Sequence, residues 1–246
     1  MEDGKGSLDM PMHDWSRVAP GTYHNFHYRW IAALMDQLNA GLLPKGCFAM
    51  AEQVIGGLEP DVVTLHLGPM PSGGAILAEP RPKPKTSVVM VADEDRYAKK
   101  ANRVVIRHEL GEVLAVIELV SPGNKNSVHA IRSLVDKLSG LLFDRINLLV
   151  LDPLPPTPRD PHGIHALIWK EVSDQPFQLP PDRPLTFAAY QSEPIKTAWI
   201  EPLAVGLTLP TMPLFLRGEF YIDLPLEPSY METWNVLPRE LKRLVE

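Results

Sequence analysis

The segment from Glu112 to Asp152, EVLAVIELVSPGNKNSVHAIRSLVDKLSGLLFDRINLLVLD, constrains the fold of this chain more than any other. Its apolar first part ends at Ser121-Pro122-Gly123-Asn124, so it reads as a strand stopped by a polar turn. Asn126 or Ser127 can then cap a helix whose apolar stripe is Val128, Ile131, Leu134, Val135, Leu138, Leu141 and Leu142. Residues 146–152, INLLVLD, are continuously apolar, as an interior parallel strand requires. Strand, helix and strand in this order predict a right-handed crossover. One residue is out of place: Glu118 sits inside the apolar strand. An ionised carboxylate is costly to desolvate, so a cation from the protein or a metal must compensate it.

Around this unit the chain alternates between short elements and proline-rich connections, with 26 prolines in 246 residues. Phe26, Trp30, Ile31, Leu34, Met35, Leu38 and Leu42 predict an amphipathic helix over about 22–42, with Thr22 as its cap and His24, Asn25 and His27 in its first turns. Residues 47–55 and 62–67 read as strands of a hairpin. Residues 68–87 are a Pro/Gly linker. Residues 87–92 and 103–109 read as strands, so 87–120 is expected to be a small antiparallel meander feeding the central strand. Beyond Asp152, residues 164–172 and 185–191 read as strands. Residues 201–227 read as a sheet edge broken by prolines, and the last eighteen or so residues as one or two short helices. The expected organisation is a single domain over 11–246, with a core of about 22–152, a wrapping extension of 153–246 and a frayed segment at 1–10.

The formal net charge of -6 argues against a nonspecific nucleic-acid binder, whose affinity comes from Lys and Arg at phosphates. The lone cysteine, Cys47, excludes an internal disulfide and a thiolate metal cluster. No signal-like or membrane-length apolar run occurs, so a cytoplasmic protein with no membrane partner is expected. No phosphate-binding glycine loop and no Gly-x-Ser-x-Gly elbow is present. His162 and His165 lack a third ligand for zinc.

The remaining candidates are acidic. Glu52, Asp61 and Glu118 all fall on or beside strands, and carboxylates converging at a sheet suit Mg²⁺ or Mn²⁺. Such a metal activates water and stabilises an oxyanion at phosphorus, and a lysine adds positive charge. Each acid also has a plain alternative. Glu118 can pair with Arg107 or Lys137, Asp61 can serve the turn after Pro60, and Glu52 can face solvent. Lys125 lies in a polar turn where exposure is expected. Lys137 flanks the apolar stripe of its helix and can reach toward the sheet. Arg81, Lys83, Lys85, Arg96, Lys99 and Lys100 offer a phosphate-facing patch or a solvated surface.

Proline followed by an acid, with a distant acid in an apolar strand, is the pattern of PD-(D/E)xK nucleases. Glu59-Pro60-Asp61-Val62-Val63 and the run Ile117–Lys125, IELVSPGNK, resemble the signature of a bacterial family catalogued as domain of unknown function 4058. Tyr23–Ile31, Met50-Ala51-Glu52, Asn147–Asp152 and Pro202–Leu207 echo further parts of that family's pattern. Residues 61–152 are also similar to bacterial restriction-endonuclease-like proteins with a Glu-Val-x-Ser-Pro strand end. Both resemblances imply an α/β fold with a restriction-endonuclease-like mixed sheet core, flanking helices and, here, a Pro-rich C-terminal extension. Neither implies a known substrate. The leading expectation is a metal held by Asp61 and Glu118 with support from Glu52, and hydrolysis of nucleic-acid phosphodiesters. A (D/E)-x-K motif would place lysine at 120, where Val120 stands, and Lys125 or Lys137 is nominated to replace it. The alternative expectation is a catalytically inactive binding or interaction protein that keeps the fold and uses the acids as structural pairs.

Overall fold

A computed structural model describes residues 12–51, 60–67, 82–93, 107–108 and 111–245. In chain order the elements are α1 (Pro20–Gln37), β1 (Cys47–Ala51), β2 (Val62–Leu67), β3 (Val88–Val91), β4 (Arg107–His108), β5 (Gly111–Leu119), α2 (Pro122–Lys125), α3 (Val128–Phe143), β6 (Asn147–Asp152), α4 (Gly163–Val172), β7 (Leu185–Gln191), β8 (Thr197–Leu203), β9 (Thr211–Arg217), β10 (Phe220–Pro225), α5 (Leu226–Asn235) and α6 (Arg239–Val245).

The main sheet has the order β1-β2-β5-β6-β7-β8-β3, with the short β4 also paired to β5. Among the described residues every pairing in it is antiparallel except β5 with β6, which α3 connects as a crossover. The protein is therefore mixed α/β, with a mostly antiparallel sheet and helices on both faces. β5 feeds both faces by alternation. Ile117 and Leu119 join the core made with α1, β9, β10 and α5, while Val116 and Val120 join the core made with α3 and α4. A bulge lies where the register slips between Thr64 and Leu65, and it lets Leu114 and Ala115 both face the first core. β6 is buried at every position, as its continuous apolar run demands.

Several expectations are corrected. Helix α1 starts at Pro20, a residue preorganised for a first turn, rather than at Thr22. After Gln37 it widens into a π-type turn through Leu42, where Gly41 takes φ 118°. β1 spans 47–51, and the rest of the expected strand lies outside the described residues. Of the meander expected over 87–120, the described residues keep the antiparallel pairing of β4 with β5, but β3 does not join it and pairs instead with β8 at the far edge of the sheet. Residues 164–172 are helix α4, not a strand. Ile164, Ile168 and Val172 are spaced by four and bury one helical face. The segment read as a sheet edge is divided: β8 is an interior strand, while β9 and β10 form a separate two-stranded sheet.

The entry to α4 is set by Gly163, which adopts φ 79° with space for a methyl group limited by Thr186 Oγ1 at 3.1 Å. Gly163→Ala is expected to destabilise the fold by about 1–2 kcal/mol through the left-handed conformation alone. Gly21→Ala, in the first turn of α1 with nothing within 4 Å, should be neutral or slightly stabilising. Urea unfolding of the two variants checks the contrast, and equal midpoints would refute it.

Candidate functional site

The site forms where β2 and β5 stop pairing. Their last paired residues are Val62 and Ile117. Continuing that register brings Pro60 opposite Leu119, and proline has no N–H to offer. Both peptide groups of Leu119 are taken up by side chains instead. Its N–H donates to Asp61 Oδ2 at 2.7 Å. Its carbonyl lies 2.7 Å from His27 Nε2, which must carry the proton because a carbonyl only accepts. The same Nε2 is 3.6 Å from Asp61 Oδ2. Tyr23, one turn earlier on α1, donates to the carbonyl of Val120 at 3.0 Å. Thus α1 supplies two side chains to the end of β5, and the pair Pro60-Asp61 supplies a missing donor and an added acceptor.

Glu118 points to the other face, toward α3, and is only 4% exposed. Lys137 from α3 meets Glu118 Oε1 at 2.6 Å, while Glu118 Oε2 is buried with no hydrogen-bond partner. Burial, then the negative charge of Asp61, pushes the Glu118 carboxyl up to about 7 against the opposing pull of Lys137 and His27. Burial disfavours a charged His27, yet Asp61, the Leu119 carbonyl and Glu118 outweigh it and raise its pKa. Asp61, Glu118, His27 and Lys137 therefore form one electrostatic cluster.

Val120 is fully buried in the core under α3. Residues 118 and 120 share a face, and α3 covers that face. A lysine delivered by α3 therefore reaches the same carboxylate that a lysine at 120 would flank. Lys125 has a different place from the one expected of a turn residue. It is 4% exposed, and its Nζ lies 2.7 Å from Asp152 Oδ2 and 2.9 Å from Asp160 Oδ2. It also donates to the carbonyls of Leu154 and Pro155 at 3.1 and 3.3 Å. All these oxygens belong to the end of β6 and the loop after it. Lys125 ties that loop to the turn after β5. Ser121 and Asn124 close the turn through bonds of 2.8 Å from the Ser121 N–H and hydroxyl to Asn124 Oδ1. Asp152 is pushed up to about 6 by burial, although Lys125 pulls the other way.

Glu52 and the basic residues Arg81, Arg96, Lys99 and Lys100 lie outside the described residues, as does the side chain of Arg107, whose backbone stands opposite Glu112. Lys83 and Lys85 are exposed. His162 and His165 are apart in role: His162 is exposed ahead of α4, while His165 is buried with Nδ1 2.7 Å from the Tyr190 hydroxyl. Asp152 and Asp160 were missed as partners of Lys125. The signal for Asp152 was present, since it too is an acid on a buried apolar strand.

The oxygens at this strand end are the Asp61 carboxylate and the Leu119 carbonyl, both already hydrogen-bonded, and Glu118 Oε2 on the side of α3. These are hard oxygens that suit Mg²⁺ or Mn²⁺. Among the described residues no group of three or more His, Cys, Asp or Glu is arranged to hold a metal, so the fit rests on two carboxylates and a backbone oxygen. Searches against protein-family models, curated proteins and solved structures each return no match for this chain. No described helix is long and apolar enough to cross a membrane.

Proposed function

We propose that the chain is a divalent-metal-dependent phosphodiester hydrolase acting on nucleic acid, with the restriction-endonuclease-like fold that its resemblance to the domain of unknown function 4058 family implies. One observation carries this reading: Lys137 from α3 reaches Glu118 at 2.6 Å in a cluster that also contains Asp61. The succession of antiparallel β1, β2 and β5 followed by parallel β6, with α1 on one face and α3 on the other, supports it. A bound Mg²⁺ or Mn²⁺ supplies a Lewis acid for the water and the phosphoryl oxygen. Asp61 and Glu118 hold it. Lys137 places a fixed positive charge beside Glu118, where charge builds on the attacked phosphate. Lys125, engaged with Asp152 and Asp160, holds the turn after β5 instead of touching substrate.

A second reading has its own observation. Asp61 already accepts from Leu119 and Glu118 already pairs with Lys137, which is what a noncatalytic binding protein would retain. Mn²⁺ and Mg²⁺ calorimetry, with cleavage tests on DNA and RNA, separates the two. The hydrolase should bind metal, lose binding in Asp61→Ala and Glu118→Ala, and lose about two to three orders of magnitude of cleavage in Lys137→Met. Cleavage that Glu118→Ala leaves unchanged, or wild-type protein that binds no metal, sinks the hydrolase and leaves the binding protein.

A further inference from the structure

His27 occupies the space that the end of the β2–β5 ladder opens. Because Pro60 offers no N–H, the Leu119 carbonyl is free of its ladder partner, and the imidazole takes that place. Its Nε2 is 2.7 Å from that carbonyl and 3.6 Å from Asp61 Oδ2, so one atom faces two oxygens of the cation donor set at once. A cation joining the same two oxygens would occupy the ground held by that Nε2–H. On the α3 side of the same strand end, Glu118 Oε2 is buried and has no hydrogen-bond partner. His27 is mostly buried, with a side-chain exposure of 11%, and it leads outward along α1 to the exposed His24 ring at 6.2 Å. Asp61 is itself 17% exposed on its side chain, so the ring and the carboxylate it faces both lie close to the surface.

The geometry points to His27 as an internal plug of the metal site, a side chain that a divalent cation must displace from Asp61 and the Leu119 carbonyl. The inference rests on the metal reading above and adds a device to it: the closed state is built from the protein's own donor. It distinguishes His27 from a ligand, because a ligand strengthens binding and a plug weakens it.

Mn²⁺ calorimetry on the wild type, His27→Ala and His27→Gln tests this. His27→Ala should bind about tenfold more tightly, the equivalent of one hydrogen bond no longer broken on binding. His27→Gln, whose amide can still donate to the carbonyl, should stay near wild type. Equal or weaker binding by His27→Ala overturns the plug while leaving the metal site standing. No binding by any of the three proteins overturns the metal reading itself. Should His27→Ala fail to fold, imidazole ¹⁵N spectra of the wild type decide. Saturating Mg²⁺ should remove the signature of the hydrogen bond to Leu119, and unmoved His27 resonances would overturn the plug.

Discussion

Lys125→Met should destabilise the protein by about 3–5 kcal/mol, because it removes one charge from a buried ionic group and leaves the others. Lys125 is 4% exposed, Asp152 2% and Asp160 0%. Its ammonium meets both carboxylates and the carbonyls of Leu154 and Pro155. Asp160 is further fixed by the Thr157 backbone N–H at 2.8 Å and by the Thr157 hydroxyl. Without the lysine, the loop after β6 loses its tie to the turn after β5. The loss should grow with pH. The folded pKa of Asp152 is already raised to about 6, so its contribution is full below the ordinary carboxylate range and lost as pH rises through the folded value. Removing Lys125 lifts that value further and extends the loss toward neutral and alkaline pH. The triple variant Lys125→Met, Asp152→Asn, Asp160→Asn should recover much of the stability, since deleting a whole buried ionic group costs far less than orphaning part of it. Urea midpoints at pH 5 and pH 8 check both claims. A single variant as stable as wild type would show that the triad contributes only packing.

The candidate site was legible wherever the clue was local. Glu118 declared itself as an acid in an apolar strand, and Lys137 by flanking the stripe of the next helix. Asp61 was readable from the preceding proline, although its bond to Leu119 was not. What the sequence concealed is what tertiary pairing decides. Lys125 looked like an exposed turn residue because its partners, Asp152 and Asp160, arrive from beyond the crossover helix. Residues 164–172 are mostly apolar, with two isoleucines, a valine and a tryptophan, which favours a strand by composition, and the four-residue spacing of Ile164, Ile168 and Val172 was the stronger signal. β3 paired with a strand more than a hundred residues away, Val88 with Ile200, where no local pattern could announce it. His27 stood out only as one of several polar residues at a helix start. Its role follows from the missing N–H of Pro60, which matters only once β2 lies beside β5.

Lys137→Met should leave stability close to wild type at pH 6 and open a growing deficit above pH 7. Glu118 is raised by burial to about 7, so its contribution is full below about 4.5, where the unfolded chain also holds the proton, and is lost as pH rises through the folded value. Below pH 7 the carboxyl is mostly neutral in either protein, and the lysine matters little to it. Above pH 7 the wild type ionises Glu118 against Lys137 at 2.6 Å and loses nothing more. The variant has no such partner on Oε1, and Oε2 has none in either protein. Its Glu118 must stay protonated, and stability keeps falling by about 1.4 kcal/mol per pH unit until the variant's own folded value is reached. Urea unfolding at whole pH units from 6 to 9 measures the gap, and adding Glu118→Gln to the variant should flatten it. A deficit of constant size across that range would mean that Lys137 acts through the packing of its aliphatic stem, and the charge coupling that underlies the proposed site would be wrong.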